Sequence, residues 1–237
     1  MRFRVLTSMS FCVFSLAFGI TAPQAKILFW PARLDFHVDG GPNSVAIGDF
    51  NGDEVLDLAV ANYTPTLDNV AILLGQGDGS FATASFYGVG DGLGSVAIGD
   101  FNGDEVLDLA VANASSDNVS ILLGQGDGSF AAASFYGAGD WPSSVAIADV
   151  DGDEVLDLAV ANWDSDNVSI LLGQGDGSFA AASFYGAGDG PRSVAIGDFN
   201  GDEVLDLAVA NSSSDNVSIL LGQGDGSFAA ASFYGAG

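Results

Sequence analysis

Cysteine and histidine are almost absent from this sequence, which has one of each among 237 residues. Cys12 lies within the first 25 residues, so a chain processed after that segment would have no disulfide and no thiolate nucleophile. His37 precedes the repeats described below, and the serines inside those repeats have no histidine in any repeat to activate them. The sequence therefore predicts a protein that is not an enzyme. An exported protein of this composition would need a stabilising element other than disulfides, for which metal is the obvious candidate.

Basic residues are also scarce, with five Lys and Arg against 31 Asp and Glu and a net charge of −26. Such a charge repels nucleic acid and anionic membrane surfaces, and we predict neither as a partner. The acidic residues are not evenly spread, because 27 are aspartates, 4 are glutamates and 17 of the total fall in four short segments. This concentration indicates a local role for the carboxylates.

An apolar run of membrane-spanning length is likewise missing. Residues 1–25 combine a basic start, an apolar stretch over residues 5–20 and small residues at 21–25, which is the layout of a secretory signal peptide. We predict cleavage after Ala22 or Ala25, and an uncleaved membrane anchor is the alternative interpretation. After Ala25 the chain would keep 212 residues, three of them basic, with a net charge of −28. The prediction is a secreted, cell-surface or periplasmic protein with no membrane span in the mature chain.

The dominant feature of the sequence is a repeat. The segment DFNGDEVLDLAVAN begins at Asp49 and returns in nearly identical form at Asp100, Asp149 and Asp198, at intervals of 51, 49 and 49 residues. Fixed periods in this range indicate repeat architectures whose units bury their apolar faces on one another. Each unit contains four short strand-like runs. In the last copy these runs are Ser193–Ile196, Leu205–Ala210, Asn216–Leu221 and Ser227–Tyr234.

Four antiparallel strands per unit of this length are typical of a β-propeller blade, so we predict an all-β propeller built from four-stranded antiparallel blades. Residues 44–237 would form four blades, and residues 26–43 a partial blade strand with its connection. A fourth strand is thus expected at both ends of the array. We therefore expect a truncated product, an open array or one that closes by association, with a closed four-bladed ring as the remaining alternative.

Chain order determines which connections share a face. Strand 1 runs toward the acidic segment and strand 2 runs back, so the acidic 1–2 loops and the 3–4 turns must lie on one face. The 2–3 loops and the 4–1 connections then lie on the other. In the 3–4 turns, the sequence GQGDGSF at residues 222–228 predicts a hairpin in which Asp-Gly supplies the positive φ values.

The acidic loops have the spacing of a cation site. Counting from the first aspartate, oxygen-bearing side chains stand at positions 1, 3, 5 and 9, and a backbone carbonyl at position 7 would add a ligand. Oxygen ligands alone favour Ca²⁺ over zinc or copper, although Asp, Asn and Gly also simply make good turns. The glutamate at position 12 and the helix that would define an EF-hand are missing. The predicted ligands are Asp49, Asn51, Asp53, Val55 and Asp57; Asp100, Asn102, Asp104, Val106 and Asp108; Asp149, Asp151, Asp153, Val155 and Asp157; and Asp198, Asn200, Asp202, Val204 and Asp206.

Three stretches of the first unit resemble the FG-GAP/VCBS repeat of integrin α-subunit propellers and many bacterial surface proteins: SVAIGDFNGD at 44–53, LDLAVAN at 56–62 and LLGQGDGSF at 73–81. The resemblance covers about residues 40–237. It implies propeller blades with Ca²⁺ in the 1–2 loops, up to four ions here. Two features depart from the family pattern. Position 6 of the loop is Glu54, Glu105, Glu154 or Glu203 instead of glycine, and four blades are visible where seven are usual.

The third loop differs from the others because Asp151 replaces asparagine at position 3. It offers four ligand carboxylates instead of three, and we predict that it binds Ca²⁺ most tightly.

The units differ mainly in their 2–3 loops and 4–1 connections, which share the face opposite the acidic loops. Variable loops on a constant scaffold are typical of recognition surfaces, and the resemblance to integrin-type propellers implies ligand binding on this face. Tyr63, Trp141 and Trp163 are its aromatic residues, and neutral drift in exposed loops is the competing explanation. We predict a non-catalytic binding or adhesion module for a protein or carbohydrate ligand. The alternatives are an accessory glycan-binding domain of a secreted polysaccharide-acting enzyme and a purely structural spacer.

Six Asn-x-Ser/Thr sequences would be acceptors for glycosylation in a eukaryotic secretory route. Three of them, in the repeated Asp-Asn-Val-Ser, are more simply explained as residues that begin strand 3. The six asparagines are Asn62, Asn113, Asn118, Asn167, Asn211 and Asn216.

Overall fold

The structure is a computed structural model that describes residues 35–38, 40–63 and 68–235. The predicted signal peptide at 1–25 and residues 26–34 of the predicted partial blade lie outside the described residues. Within those residues no helix is long and apolar enough to cross a membrane.

The described residues form sixteen short β-strands and one 3₁₀ turn, at Ala114–Ser116. The strands are β1 Gly41–Gly48, β2 Asp57–Tyr63, β3 Asn69–Leu73, β4 Ser85–Gly88, β5 Leu93–Gly99, β6 Asp108–Asn113, β7 Asn118–Leu122, β8 Ser134–Gly137, β9 Pro142–Ala148, β10 Asp157–Asn162, β11 Asn167–Leu171, β12 Ser183–Gly186, β13 Pro191–Gly197, β14 Asp206–Asn211, β15 Asn216–Leu220 and β16 Ser232–Gly235.

Each group of four consecutive strands forms one antiparallel sheet in chain order, so that the first sheet is β1–β4 and the fourth is β13–β16. This confirms the prediction of four-stranded antiparallel blades. The second strands, with the sequence Asp-Leu-Ala-Val-Ala-Asn, are buried along their whole length in β6 and β10. Both of their faces pack against neighbouring sheets, and therefore the apolar residues do not alternate with polar ones.

The predicted fourth run, Ser227–Tyr234, is shorter in the structure. Only β16 pairs as a strand, while Phe228 forms an isolated bridge with Gly222. The turn between them agrees with the prediction in part, because Gly226 of the Asp-Gly pair has a positive φ and Asp225 does not. Positive φ values fall on Gly224 and Gly226, both at 77°, and not on the Asp between them. Glycine adopts this conformation without a steric cost, which leaves the Asp225 side chain to accept hydrogen bonds from Ser227.

Successive sheets pack face to face, with the first strands β1, β5, β9 and β13 in contact in that order. Three apolar clusters fill the three junctions between sheets. Small residues allow this close packing: a Cβ on Gly48 would lie 2.6 Å from Leu107 Cδ1 of the next sheet. The described residues of β13 and β1 make no comparable contact. The four described sheets therefore form an open array, one of the arrangements expected from the sequence, and not the closed four-bladed ring that was the remaining alternative.

Candidate metal centres and the opposite face

The acidic 1–2 loops and the 3–4 turns lie together on one face, called the acidic face below. The amide of Gly128, in a 3–4 turn of the second sheet, donates to the carbonyl of Phe50 in the acidic loop of the first, at 3.0 Å. The equivalent bond from Gly177 to Phe101 joins the third sheet to the second, also at 3.0 Å. The face predicted from strand order is thus formed by contacts between neighbouring units.

The first aspartate organises each acidic loop. Asp49 Oδ1 accepts from the Gly52 amide at 2.8 Å, and its Oδ2 accepts from the Glu54 amide at 2.8 Å. Asp198 does the same with the amides of Gly201 and Glu203, which hold the pKa of Asp198 below its usual value. Asp100 and Asp149 repeat the pattern. The conformation of each acidic loop is therefore fixed by hydrogen bonds that backbone amides donate to the first aspartate.

The side chains at positions 3 and 5 are in contact in the first, second and fourth loops. The third loop differs because its residue at position 3 is an aspartate. In the first loop Asn51 Nδ2 donates to Asp53 Oδ2 at 3.1 Å, and the second and fourth loops do likewise. The third loop has Asp151 at position 3, which has no side-chain amide hydrogen to donate. Instead oxygens of Asp149, Asp151 and Asp153 lie within 4.8 Å of one another. Burial raises the pKa of Asp151, and the negative charges of Asp153 and Asp149 raise it further.

Position 9 lies elsewhere. Asp157 is buried at the start of β10, where its Oδ2 accepts from the Val150 amide at 2.9 Å and its Oδ1 from the Gly173 amide at 2.7 Å. Burial raises its pKa to about 6, against the lowering effect of these two amides. Asp157 is not among the three carboxylates that meet in its loop. Its visible role is to tie the acidic loop to the beginning of the 3–4 turn, and Asp57, Asp108 and Asp206 make the same pair of bonds.

Position 7 contributes its amide to the loop. The Val55 amide donates to Asp53 Oδ1 at 2.8 Å, and Val106, Val155 and Val204 donate in the same way. All four valines are half-buried.

The glutamates at position 6 all have positive φ: Glu54 at 64°, Glu105 at 66°, Glu154 at 69° and Glu203 at 68°. The loop therefore imposes here the left-handed conformation for which glycine is commonly used. The four side chains are exposed. A non-glycine residue pays roughly 1–2 kcal/mol for this conformation, and the bond from its amide to the first aspartate helps to hold it.

These donors fit a hard cation. The side chains that meet in the third loop provide three carboxylates and no nitrogen or sulfur, the ligand type that Ca²⁺ prefers. Mutual repulsion among them is the electrostatic cost that a bound cation would remove. Asp149, Asp151 and Asp153 would hold the ion in the third loop, with the corresponding Asp-Asn-Asp sets in the other three.

The opposite face, called the variable face below, is formed by the 2–3 loops and 4–1 connections. The Trp163 amide donates to the Trp141 carbonyl at 2.9 Å, which joins one loop of each kind. Trp141 is exposed and has a φ of 57°, whereas the equivalent residues of the neighbouring connections are Gly92 and Gly190 at 76° and 65°. A tryptophan thus occupies a backbone position that glycine fills in the other units.

Arg192 is the residue of this face that the sequence analysis missed. Its guanidinium carbon lies 4.4 Å from the ring centroid of Trp163, in a cation–π arrangement. Trp141, Trp163, Asp164 and Arg192 line one shallow depression. Tyr63, Trp141 and Arg192 line a second, of about 370 Å³. The three predicted aromatic residues therefore share this face. Arg192 is the one Lys or Arg within the described residues, and this rarity is the signal by which the sequence could have identified it.

A row of asparagines closes the second strands beneath the variable face. Asn113 is fully buried, and its Nδ2 donates to Asn118 Oδ1 and Ser120 Oγ, both at 2.8 Å. Asn162 and Asn211 make the same bonds, and Asn62 is equally buried. Burial excludes Asn62, Asn113 and Asn211 as glycan acceptors in the folded protein. Asn118, Asn167 and Asn216 begin β7, β11 and β15, as the simpler interpretation of their sequence predicted.

Two solved structures illustrate the similarity of the fold. A functionally unknown protein from Desulfotomaculum acetoxidans DSM 771 matches with a TM-score of 0.63 and 16% identity, over 82% of this chain and 56% of its own. A protein from Lactobacillus plantarum matches with a TM-score of 0.60 and 16% identity, over 82% of this chain and 55% of its own. The chain thus spans just over half the length of these proteins, and at such identities the likeness concerns the fold alone.

The search of curated proteins gave no match. A family model for the FG-GAP-like repeat, in contrast, matches three overlapping segments, at residues 49–111, 100–160 and 149–209. Together these segments cover well over half of the chain, and each includes two complete acidic loops. The resemblance inferred from the loop and strand motifs is confirmed, and the chain belongs to the FG-GAP-like repeat family.

Proposed function

We propose that this protein is an exported, non-catalytic binding module that carries Ca²⁺ in its acidic loops and recognises its ligand on the variable face. The observation that carries the proposal is the difference between the two faces. One repeats the same hydrogen-bonded loop four times, while the other presents Trp141, Trp163 and Arg192, each found once among equivalent positions. A constant face serves the scaffold, and side chains that occur once serve selectivity.

Bound Ca²⁺ would neutralise carboxylates that are crowded on one face of a highly acidic protein. In three loops an asparagine amide already offsets part of this crowding by donating to the aspartate at position 5. In the third loop Asp151 cannot donate in this way, and a cation would take the place of the missing amide hydrogens. The third loop is therefore proposed as the tightest of up to four sites.

Thermal unfolding of the protein tests the metal sites. The midpoint is measured with Ca²⁺, with Mg²⁺ and with chelator, at matched ionic strength. A ligand that binds only the folded state at a hundredfold excess over its Kd adds about 2.7 kcal/mol per site. We expect a large rise in midpoint that is specific to Ca²⁺. Equal midpoints in all three conditions would leave the loops as acidic turns without a metal function.

The recognition surface is proposed from strain, exposure and charge. A tryptophan held at positive φ costs about 1–3 kcal/mol, and Trp141 bears this cost while its side chain stays exposed. Next to it, the guanidinium of Arg192 is oriented by the ring of Trp163. An exposed aromatic residue beside an oriented arginine is the composition of an interaction hot spot.

A carbohydrate ligand is the second candidate, in which the protein is an accessory domain of a secreted polysaccharide-acting enzyme. The shallow depression beside Trp141 favours it, because a sugar ring can pack against the exposed indole of Trp141 and needs no deep pocket. A folded protein partner would instead extend over the larger depression that includes Tyr63.

Binding of the labelled protein to a glycan array and to immobilised extracellular proteins separates these candidates. Trp163→Ala and Arg192→Gln should abolish binding. Phe135→Ala serves as the matched control, since Phe135 is an exposed aromatic residue that belongs to the constant strand β8 and not to a variable loop. Signals on glycans that only the first two variants lose support the carbohydrate ligand, and the same pattern on proteins supports a protein ligand. No signal on either, or equal loss in the control, would favour a structural spacer.

Export is tested by sequencing the amino terminus of protein recovered outside the cytoplasm. Processing at the predicted positions gives a chain that begins with Pro23 or Lys26. An amino terminus at Met1 in a membrane fraction would support the uncleaved anchor instead.

A further inference from the structure

The three junctions inside the array are copies of one interface. Each sheet has a leading surface, which faces the preceding sheet, and a trailing surface, which faces the next. On the leading surfaces Val96, Val145 and Val194 are 6–7% exposed. On the trailing surfaces Phe50, Phe101 and Val150 are 2–4% exposed. The sequence of the repeat therefore encodes two complementary surfaces, which meet three times within the chain.

The first sheet presents a leading surface whose inner half is covered by no sheet of the described residues. Val45 and Ile47 are 56% and 55% exposed, and Leu56 is exposed beside them. The outer half is covered by residues 35–38 of the chain itself: the ring of Phe36 lies 5.1 Å from that of Phe81, and Val38 packs near Val60 and Leu73. The uncovered part of this surface is thus the strip along β1.

The fourth sheet presents the opposite case, a trailing surface that no described residue covers. Phe199 is 52% exposed, although its equivalents Phe50 and Phe101 are buried. Leu221 and Tyr234 are also exposed. The exposed side chains are large and apolar, and an uncovered patch of this kind marks an interaction site.

We propose that these two surfaces bind each other between two copies of this chain, with the fourth sheet of one copy against the first sheet of the next. The occupant is a second copy because the strip along β1 of its first sheet has the side chains that fill the same surface at the internal junctions. Phe36 and Val38 lie on the first sheet where Tyr87 and Val89 lie on the second, so β16 of one copy takes the place of residues 35–38 of the other in this contact. Val45, Ile47 and Leu56 are the equivalents of Val96, Ile98 and Leu107, which pack against the first sheet within the chain. This inference does not depend on Ca²⁺ binding or on recognition by the variable face.

Two pairs of contacts at the internal junctions show how specific the fit would be. Leu107 lies so close to Gly48 that a Cβ there would be 2.6 Å away, and Leu74 leaves only 2.8 Å to a Cβ on Gly128. On the two free surfaces, the glycines at the corresponding positions have no such leucine against them. No residue of another sheet lies within 4 Å of a Cβ on Gly197, and nothing at all lies within 4 Å of one on Gly79. In the assembly, Leu56 of one copy packs over Gly197 of the other, and Leu221 packs over Gly79.

The contact is heterologous, since the two surfaces differ. Repetition of such a contact gives either a closed ring or an open filament, according to the rotation between successive copies. The strong negative charge opposes association, so the experiment is performed at an ionic strength that screens it.

Sedimentation velocity of the protein over a wide concentration range tests the proposal. The wild-type protein should form assemblies larger than the monomer. Ile47→Asp blocks the leading surface and Phe199→Asp blocks the trailing surface, and each variant alone should be monomeric. Mixed together, they retain one free surface of each kind and should give a 1:1 dimer and nothing larger. Phe135→Asp, which places the same charge on an exposed phenylalanine outside both surfaces, should assemble like the wild type.

A wild-type protein that stays monomeric at all concentrations would overturn the proposal. So would a mixture of the two blocked variants that fails to dimerise, provided that both retain the unfolding midpoint of the wild type. Undiminished assembly of either blocked variant alone would also overturn it, since that requires contact between like surfaces.

Discussion

The two faces of the array are built on the same sixteen strands, but they use their loops in opposite ways. On the acidic face every aspartate at position 1 accepts the same amides, and every aspartate at position 9 ties its loop to the following turn. On the variable face the hydrogen bonds that hold the connections are also repeated. The Asp117 carboxylate accepts from the Trp141 amide at 2.9 Å, and Asp166 accepts from the Gly190 amide at the same distance.

What differs between the faces is whether the side chains outside these bonds are constrained. On the acidic face the loop residues are themselves the hydrogen-bonding groups, so that a substitution disturbs the fold. On the variable face the bonds come from the backbone, one aspartate and serines such as Ser165, whose Oγ accepts from the Asp140 amide at 3.0 Å. None of these bonds uses the side chain at position 141, which is therefore free to vary. We expect substitutions on the acidic face to change stability and those on the variable face to change binding.

The largest effect is expected at Asp57, on the acidic face. Asn in its place presents an amide group to the N–H of Phe50 or Gly75, so one backbone donor loses its acceptor. We expect Asp57→Asn to lower the free energy of unfolding by about 2–3 kcal/mol, measured by urea denaturation in chelator so that metal does not contribute. Asp164→Asn, the same chemical change at an exposed site of the variable face, should have little effect. Equal losses in the two variants would remove the distinction between the faces.

A smaller effect is expected from exchanging the residue at position 3 of two loops. Asp151→Asn converts the third loop to the type of the others, and Asn102→Asp converts the second loop to the type of the third. Because Ca²⁺ affinity follows the number of ligand charges, we expect the first change to weaken its site about tenfold, or ~1.4 kcal/mol, and the second to strengthen its site by a similar factor. Calorimetric titration measures both. Unchanged affinity in either variant would contradict the ranking of the loops.

The glutamate at position 6 should respond in the opposite direction. Glu154→Gly relieves the cost of a positive φ, while the unfolded chain gains freedom worth about 0.4–1 kcal/mol. The balance predicts a stability gain of roughly 0.5–1 kcal/mol, because the exposed side chain gives up no packing. Urea denaturation of this variant is compared with that of Glu154→Ala, which keeps the strain and should show no gain. A gain in both would mean that the loss of negative charge, and not the backbone, is responsible.

The repeat made most of the fold predictable. A period of about fifty residues, strand-like runs and turn signals fixed the four sheets and the grouping of loops by face. The backbone conformation of the 3–4 turns was harder to predict. From GQGDGSF, Asp225 and Gly226 were expected at positive φ. In the structure Gly224 and Gly226 have that conformation, and the Asp225 carboxylate accepts a hydrogen bond from Ser227. Short motifs of this kind do not distinguish the two arrangements.

The candidate metal site was predictable in part. Spacing alone placed positions 1, 3 and 5 of the third loop together, as the structure has them. Spacing could not show that Asp57 turns toward the amides of Phe50 and Gly75, since the second of these lies 18 residues further on and is brought close only by the sheet. The direction of a side chain at the start of a strand depends on its partners, which a single sequence does not give.

The smallest change in stability, and the sharpest test of the comparison, is expected from Trp141→Gly. Gly92 and Gly190 hold the same backbone conformation in the neighbouring connections, so the hydrogen bond that the amide at position 141 donates to Asp117 is retained. Relief of strain offsets the loss of indole contacts, and the free energy of unfolding should stay within about 0.5 kcal/mol of wild type. The variant should nevertheless lose binding to the immobilised glycans or proteins that the wild type binds. If the variant instead loses more than ~1 kcal/mol, with binding reduced only in proportion to the unfolded fraction, Trp141 is a structural support. The variable face would then share the constraint found on the acidic face.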